Sequence, residues 1–357
     1  MLHADYLPGR TLCADGREYL FCSGTSYLGI PRNPVFAELL AEGLARYGTN
    51  YSSSRNSSLQ LRIYDEAEAY LGHYTGAEAA LTVSSGYLAG QMAVKALANA
   101  GRFEYAPGTH PAAWLTEHPA LVAATRTFDE WAQHLLRRLR HETPHPVVIV
   151  SNSLDALRVQ RYDFAWTTEL PTDRPITLLL DDSHGFGLIG RDGAGIFTEI
   201  SVPDTVRLVV VSSLGKACGI PGGVVLADAA FVGSLRRSAF FAASSPVVPA
   251  YLYAFLHAQA LYRQARQQVA AHAALFATAT AHLGLFHSAE GLPVFYTPTN
   301  ELAGYLQQQQ VLISSFPYPS PTDPCITRVV LSALHTPADV ARVIELCRQF
   351  AAARTAT

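Results

Sequence analysis

The sequence predicts an α/β protein built on a mainly parallel sheet, and two observations predict it. Two runs, Ile176–Leu180 (ITLLL) and Val209–Val211 (VVV), consist of leucine and β-branched residues. Strands covered on both faces by helices read this way, because neither face meets water. Strand and helix patterns also alternate along the chain as far as about Gly223, the mark of parallel strands joined by crossovers.

In chain order, residues 1–30 read as an arm with two short strands, Arg17–Ser23 and, after a turn, Tyr27–Gly29. A helix is predicted over Pro34–Tyr47, where Val35, Leu39, Leu40 and Leu44 recur at helical spacing. Gly48–Ser58 (GTNYSSSRNSS) is a polar loop, and Asp65–Tyr74 resumes a helix. A strand over Ala80–Ser85 enters Gly86-Tyr87, and a helix over Leu88–Ala98 follows. Pro246–Gln267 reads as one long helix leading to a second lobe. That lobe ends with a strand over Val311–Phe316, a turn carrying Pro317, Pro319, Pro321 and Pro324, a strand over Ile326–Leu331 and a helix from Pro337. Gln307–Gln310 is the end of a helix, and no internal repeat is found.

The 357 residues are 49% hydrophobic and 15% charged, enough to bury a large core divided into two lobes. A net charge of −3 without a long basic block argues against nucleic acid as the main partner. Five cysteines at scattered positions have no metal spacing and read as reduced thiols of a cytoplasmic protein. The segment MLHADYLPGR has no apolar core of a signal peptide, and no apolar run reaches the ~18 residues of a membrane span.

The two buried runs end in reactive side chains: Asp181 and His184 after the first, Ser212, Ser213 and Lys216 after the second. An amine, a carboxylate, an imidazole and hydroxyls at adjacent strand ends suit pyridoxal phosphate (PLP) chemistry. The amine captures the aldehyde, the carboxylate keeps the pyridine nitrogen protonated and the hydroxyls meet the phosphate. Two decoys share the region. Gly185, Gly187 and Gly190 spell the dinucleotide fingerprint G-x-G-x-x-G, but four residues separate them from the strand and turn sequence follows them instead of a helix. Around Lys216, Ala217 stands where a phosphate-binding P-loop requires Ser or Thr.

Five segments fall in a recognisable order: Ser26-Tyr27-Leu28-Gly29, Ser84-Ser85-Gly86-Tyr87, Asp181-Asp182-Ser183-His184-Gly185, Ser213-Leu214-Gly215-Lys216 and Ser332-Ala333-Leu334-His335-Thr336. From about residue 17 to 347 the chain resembles the α-oxoamine synthases, PLP enzymes of fold type I in the wider class I/II aminotransferase grouping. The resemblance implies a large, mainly parallel-sheet domain over residues 48–240. It also implies a smaller C-terminal α+β domain over 241–357, joined by the arm and small-domain segment 1–47. It implies PLP as cofactor, no metal, and a homodimer with a shared active site.

Roles carry over by resemblance one residue at a time. Lys216 resembles the lysine that binds PLP covalently, Asp181 the partner of the pyridine nitrogen, and His184 the histidine at the ring's phenolic oxygen. His110 lies where the family stacks an imidazole on the ring. Gly86, Tyr87 and Ser213 resemble the phosphate site, where a helix N-terminus suits an anion, and Ser153 joins the cofactor shell. Ser244, in Phe241–Ser245, resembles a hydroxyl given to the phosphate by the neighbouring subunit. Arg328, seven residues before His335, matches the arginine that grips a substrate carboxylate, and Ser26 and Arg55 fall at other substrate positions.

Departures gather on the substrate side. The family's glycine-rich loop is here Asn50–Arg55 (NYSSSR), Tyr64 stands where histidine is usual, Ser26 replaces an asparagine, and Ser153-Leu154-Asp155-Ala156 is a reduced version of a longer acidic motif. The activity implied is decarboxylative condensation of an amino acid with an acyl-CoA or acyl-carrier thioester. An aminotransferase or aldolase-like lyase is the rival, and a catalytically inactive partner subunit a more distant one.

Overall fold

A computed structural model describes residues 2–116, 126–318 and 320–355. Its strands are, in chain order, β1 (Thr11–Ala14), β2 (Arg17–Cys22), β3 (Ala79–Val83), β4 (Arg102–Tyr105), β5 (Val147–Asn152), β6 (Leu154–Asp155), β7 (Gln160–Arg161), β8 (Ile176–Asp181), β9 (Val206–Ser213), β10 (Gly223–Ala227), β11 (His287–Ser288), β12 (Val294–Thr297), β13 (Val311–Pro317) and β14 (Cys325–Val330).

The larger sheet has the order β3-β10-β9-β8-β5-β4. Strands β4, β5, β8 and β9 pair in parallel, and β10 runs antiparallel between β9 and β3. Both faces are covered, as the unbroken apolar runs require. Leu178 and Leu180 enter one hydrophobic cluster, while Leu179 between them enters the other. Each such side chain contributes roughly 1.5–3 kcal/mol on burial, so a polar residue in mid-strand would be costly.

The second sheet has the order β1-β2-β13-β14-β12-β11. It combines the N-terminal arm with the C-terminal lobe, through parallel pairing of β2 with β13. Leu20, Phe295, Ile313 and Val329 of this sheet pack with Val340, Val343 and Ile344 of the final helix, Pro337–Thr355. Among the described residues no helix is long and apolar enough to cross a membrane.

The helix over Pro34–Tyr47 forms as the spacing predicts, capped by the Asn33 side chain. Other expectations change. Tyr27–Gly29 is a turn, closed by the Gly29 N–H donating to the Ser26 carbonyl, with Gly29 at φ 65°. The arm's other strand is β1, joined to β2 by Asp15-Gly16, both at positive φ. That Asp-Gly pair was a legible hairpin signal. The single helix expected over Pro246–Gln267 is two, Pro249–His257 and Gln259–Thr280, broken at Ala258. Apolar spacing continues through the break, so periodicity does not register the change of direction. The β5–β8 and β8–β9 connections hold hairpin and 3-10 turns instead of crossover helices. Of the proline turn, Pro319 lies outside the described residues.

Candidate active site

The C-terminal ends of the parallel strands β5, β8 and β9 share one edge of the large sheet, where ligands bind in open α/β folds. Register aligns Asp181 with Asn152 on one side and Val211 on the other. Asp181 Oδ1 accepts from the Ser183 N–H at 2.9 Å. Its Oδ2 lies 3.9 Å from His110 Nδ1. Ser183 Oγ accepts from the Ser213 N–H at 2.9 Å, which ties the ends of β8 and β9 together.

His110 is held by Asn152, whose Oδ1 accepts from the His110 N–H at 3.0 Å and whose Nδ2 donates to the Gly108 carbonyl at 2.7 Å. Burial lowers the His110 pKa, the Asp181 charge opposing and Lys216 assisting. Its Nδ1 accepts from the Ala112 N–H at 3.2 Å, which assigns the ring proton to Nε2. His184 is lowered further, by burial and then by the charges of Lys216 and Arg328, so it is neutral at physiological pH. Its Nδ1 lies 2.8 Å from the Tyr27 hydroxyl. Burial pushes Tyr27 up to about 12. With the tyrosine donating, His184 carries its proton on Nε2 and can offer it to an acceptor.

Lys216 follows β9 within a tight turn closed by Leu214 N–H to Gly222 O and Ile220 N–H to Leu214 O. Its pKa is pushed down to about 8 by burial, with Arg328 assisting and the Asp181 and Asp182 carboxylates opposing. An amine so placed is partly neutral near neutral pH and can act as nucleophile or base. The chain contains only one other lysine, Lys95. That residue is exposed, its ammonium 4.6 Å over the Phe240 ring.

The helix Gly86–Ala96 begins at the same edge, with the Ser85 side chain capping Leu88 N–H. Its first N–H groups have no acceptor within the helix. A Cβ on Gly86 would stand 2.5 Å from Ser213 Cβ, so only glycine allows the helix start to approach the end of β9. The Ser213 hydroxyl accepts from the Gly215 N–H at 3.1 Å and sits beside that helix start. This is a fit for a phosphate: unpaired helix N–H groups, a hydroxyl and room kept by a glycine. A half-buried amine, a carboxylate and a neutral imidazole accompany it, the set of groups that fits PLP.

Arg328 projects from the central strand β14 and is 6% exposed. Its Nη1 donates to the Ala156 carbonyl at 2.7 Å, while its buried Nε has no hydrogen-bond partner among the described residues. Ser153 lies beside the site, its N–H donating to the Asp181 carbonyl at 2.8 Å. Next to Asp181, the fully buried Asp182 accepts from the Ile196 N–H at Oδ2. Burial pushes its carboxyl up to about 7, the Ser153 hydroxyl and Ile196 amide opposing.

The structure therefore gathers Lys216, Asp181, His184, His110, Ser213, Gly86, Ser153 and Arg328. Four other residues behave differently. Arg55, expected at the substrate, is buried in a two-pronged ion pair with Glu68 (2.7 and 3.2 Å) and stacks 4.2 Å over the Tyr64 ring. Its guanidinium is already engaged by a buried carboxylate, a structural placement. Ser244 donates its hydroxyl back to the Phe240 carbonyl within its own turn. Ser26 is exposed in the turn before Ile30, and the Tyr87 ring is 58% exposed. Tyr27, Asn152, Asp182 and Ser183 complete the site without having been singled out. All stand inside or beside the quoted segments, but nothing in a strand pattern tells which loop residue orients another.

A family model for aminotransferase class I and II matches residues 125–346, more than half of the chain. The chain belongs to that family. Proteins of Burkholderia mallei and Burkholderia pseudomallei named 8-amino-7-oxononanoate synthase are 29% identical over 251 residues, 68% of this chain. The match spans 64% of those relatives' length. A serine palmitoyltransferase from Sphingomonas wittichii superposes with a TM-score of 0.82 at 17% identity, covering 99% of this chain and 92% of that one. One from S. paucimobilis, solved with PLP and myriocin bound, gives 0.82 at 15% identity over 100% and 94%. These structures share the fold, a PLP-dependent transferase fold of type I.

Proposed function

We propose that this family member is a PLP-dependent α-oxoamine synthase. It would join an α-amino acid to an acyl thioester, forming an α-amino ketone and releasing CO₂ and the free thiol. The observation that carries the reading is the convergence of the Lys216 amine, the Asp181 carboxylate and the neutral His184 at one sheet edge, with Arg328 within electrostatic reach of Lys216. Relatives named 8-amino-7-oxononanoate synthase and structures named serine palmitoyltransferase, one carrying PLP, support the same reading.

Bound PLP supplies an aldehyde that captures amines and a pyridinium ring that takes up the electrons freed at the substrate Cα. The chain's own residues do the rest. Lys216 Nζ, its pKa pushed down to about 8 by burial, would be the amine that holds the cofactor and the base that accepts the Cα proton. Asp181, fixed by the Ser183 N–H, would hold the proton on the pyridine nitrogen. His184, oriented by Tyr27, would offer Nε2–H to the phenolic oxygen. Arg328, whose buried Nε has no partner among the described residues, would bind the substrate carboxylate. Asp181, His184 and Arg328 are fixed by the Ser183 N–H, the Tyr27 hydroxyl and the Ala156 carbonyl before substrate arrives, which preorganises the field around the developing charge.

A second copy of the chain as partner, a coenzyme A or carrier-protein thioester as acyl donor, a cytoplasmic setting and the division into 1–47, 48–240 and 241–357 belong to this reading. Free cysteines and the two separate sheets support it. The test is the visible spectrum of the PLP-loaded protein during addition of single amino acids, with and without acyl-CoA. A long-wavelength band that appears with one amino acid and changes on adding thioester, with CO₂ release, is the expected result. Conversion to the pyridoxamine form by amino acid alone would assign an aminotransferase instead.

A further inference from the structure

The short hairpin β6–β7 is not required by the sheet, yet it touches three parts of the site. At its base the Ser153 N–H donates to the Asp181 carbonyl. At its far end Tyr162 stacks on Phe128 with centroids 4.0 Å apart and its hydroxyl approaches Gly108, two residues before His110. In between, the turn Ala156–Val159 presents the Ala156 carbonyl to Arg328 Nη1 at 2.7 Å. That contact joins the large sheet's edge to the strand of the second sheet that bears Arg328.

The turn has a specific construction. Asp155 Oδ1 accepts from both the Leu157 N–H (2.8 Å) and the Arg158 N–H (2.9 Å), an Asx turn that fixes the peptide carrying the Ala156 carbonyl. Val159 is buried at φ 59°, a conformation a β-branched residue adopts only where its surroundings impose it. With Nη1 engaged and Nε buried without a partner, the guanidinium has one edge left for a carboxylate, the Nε edge.

We propose that the β6–β7 turn is a specificity device and Asp155 its positioning residue. By holding Ala156 against Arg328, the turn would aim the Nε edge of the guanidinium at the carboxylate of an α-amino acid and so select free amino acids over amines. The inference rests on the proposed function. Its content beyond that reading is that the orientation of Arg328 depends on Asp155, which touches neither substrate nor cofactor.

The test compares wild type, Asp155→Ala, Asp155→Asn and Val159→Gly as PLP-loaded proteins. Affinities for glycine, L-alanine and L-serine are measured by calorimetry and spectral titration beside methylamine, ethylamine and ethanolamine, the same molecules without the carboxylate. Asp155→Ala should weaken amino-acid binding ~10-fold, the scale of one lost charge-assisted hydrogen bond, while leaving the amines and the cofactor spectrum unchanged. Asp155→Asn, whose amide oxygen can accept the same two N–H bonds, should restore binding, and Val159→Gly should weaken amino acids in the same selective way. Equal losses for amines and amino acids, or no loss at all, would overturn the proposal. If the wild-type protein responds to none of the amino acids, the proposed function itself fails, and this inference with it.

Discussion

In the proposed function, the side of the site that would hold the cofactor and the side that would hold the substrate are built differently. On the cofactor side, Asp181, Ser183, Ser213 and Lys216 sit within a few residues of buried parallel strands, and main-chain hydrogen bonds hold them. On the substrate side, Arg328 meets a hairpin more than 160 positions away in the chain, and Arg55 is held in a buried pair with Glu68. Chemistry placed at the end of a buried strand is fixed by the sheet. Chemistry placed across two lobes depends on contacts that can be remodelled one residue at a time.

The substrate side carries the larger expected effect of mutation on stability. Arg55 and Glu68 are both buried, and Glu68 also accepts from the Thr82 N–H and hydroxyl and pairs with Arg236. Burial alone would raise the Glu68 pKa, but the hydrogen bond and charge of Arg55, with Arg236 and Thr82, hold it below its usual value. Arg55→Ala should cost about 3 kcal/mol, because it removes one partner of a buried pair. Denaturant unfolding of the PLP-free protein measures this. Amino-acid affinity of the folded fraction should not change; a selective loss of that affinity would return Arg55 to the substrate site and break the contrast.

On the cofactor side a pH dependence of stability sharpens it. Asp182 has a folded pKa of about 7 against an ordinary value of 3.8. A carboxyl raised in the fold stabilises most below its unfolded pKa, and that contribution is lost as pH rises through the folded one. Stability of the PLP-free protein should therefore fall between about pH 4 and pH 7 by up to ~1 kcal/mol per pH unit from this group. Asp182→Asn should remove that slope in unfolding curves taken across the range. A slope unchanged in the variant would mean that Asp182 is ionised in the fold.

The same contrast explains what the sequence disclosed. The placement of Lys216, Asp181 and His184 at one sheet edge was legible because apolar runs announce strands, and parallel strands share an edge in this class of fold. Gly86 was legible as the start of a helix, although its reason, the close approach of Ser213, is a fact of packing. The Arg55–Glu68 pair was not legible, because the two residues lie on different elements and periodicity does not pair charges across elements. Ser244 was read as a phosphate ligand from its segment alone, while in the fold its hydroxyl turns back to Phe240. Tyr27 lay in plain view within Ser26–Gly29, but its partner His184 stands 157 positions away.

The central claim is that Lys216 is the residue that binds PLP covalently. The most direct measurement is borohydride reduction of the PLP-loaded protein, which converts a C=N bond between cofactor and lysine into a stable amine, followed by mass mapping of peptides. With two lysines in the chain the result is unambiguous. The account predicts the cofactor's mass on the peptide containing Lys216, with a rate of capture that rises through about pH 8 as the amine loses its proton. Cofactor found on the exposed Lys95, or on neither lysine, would contradict it.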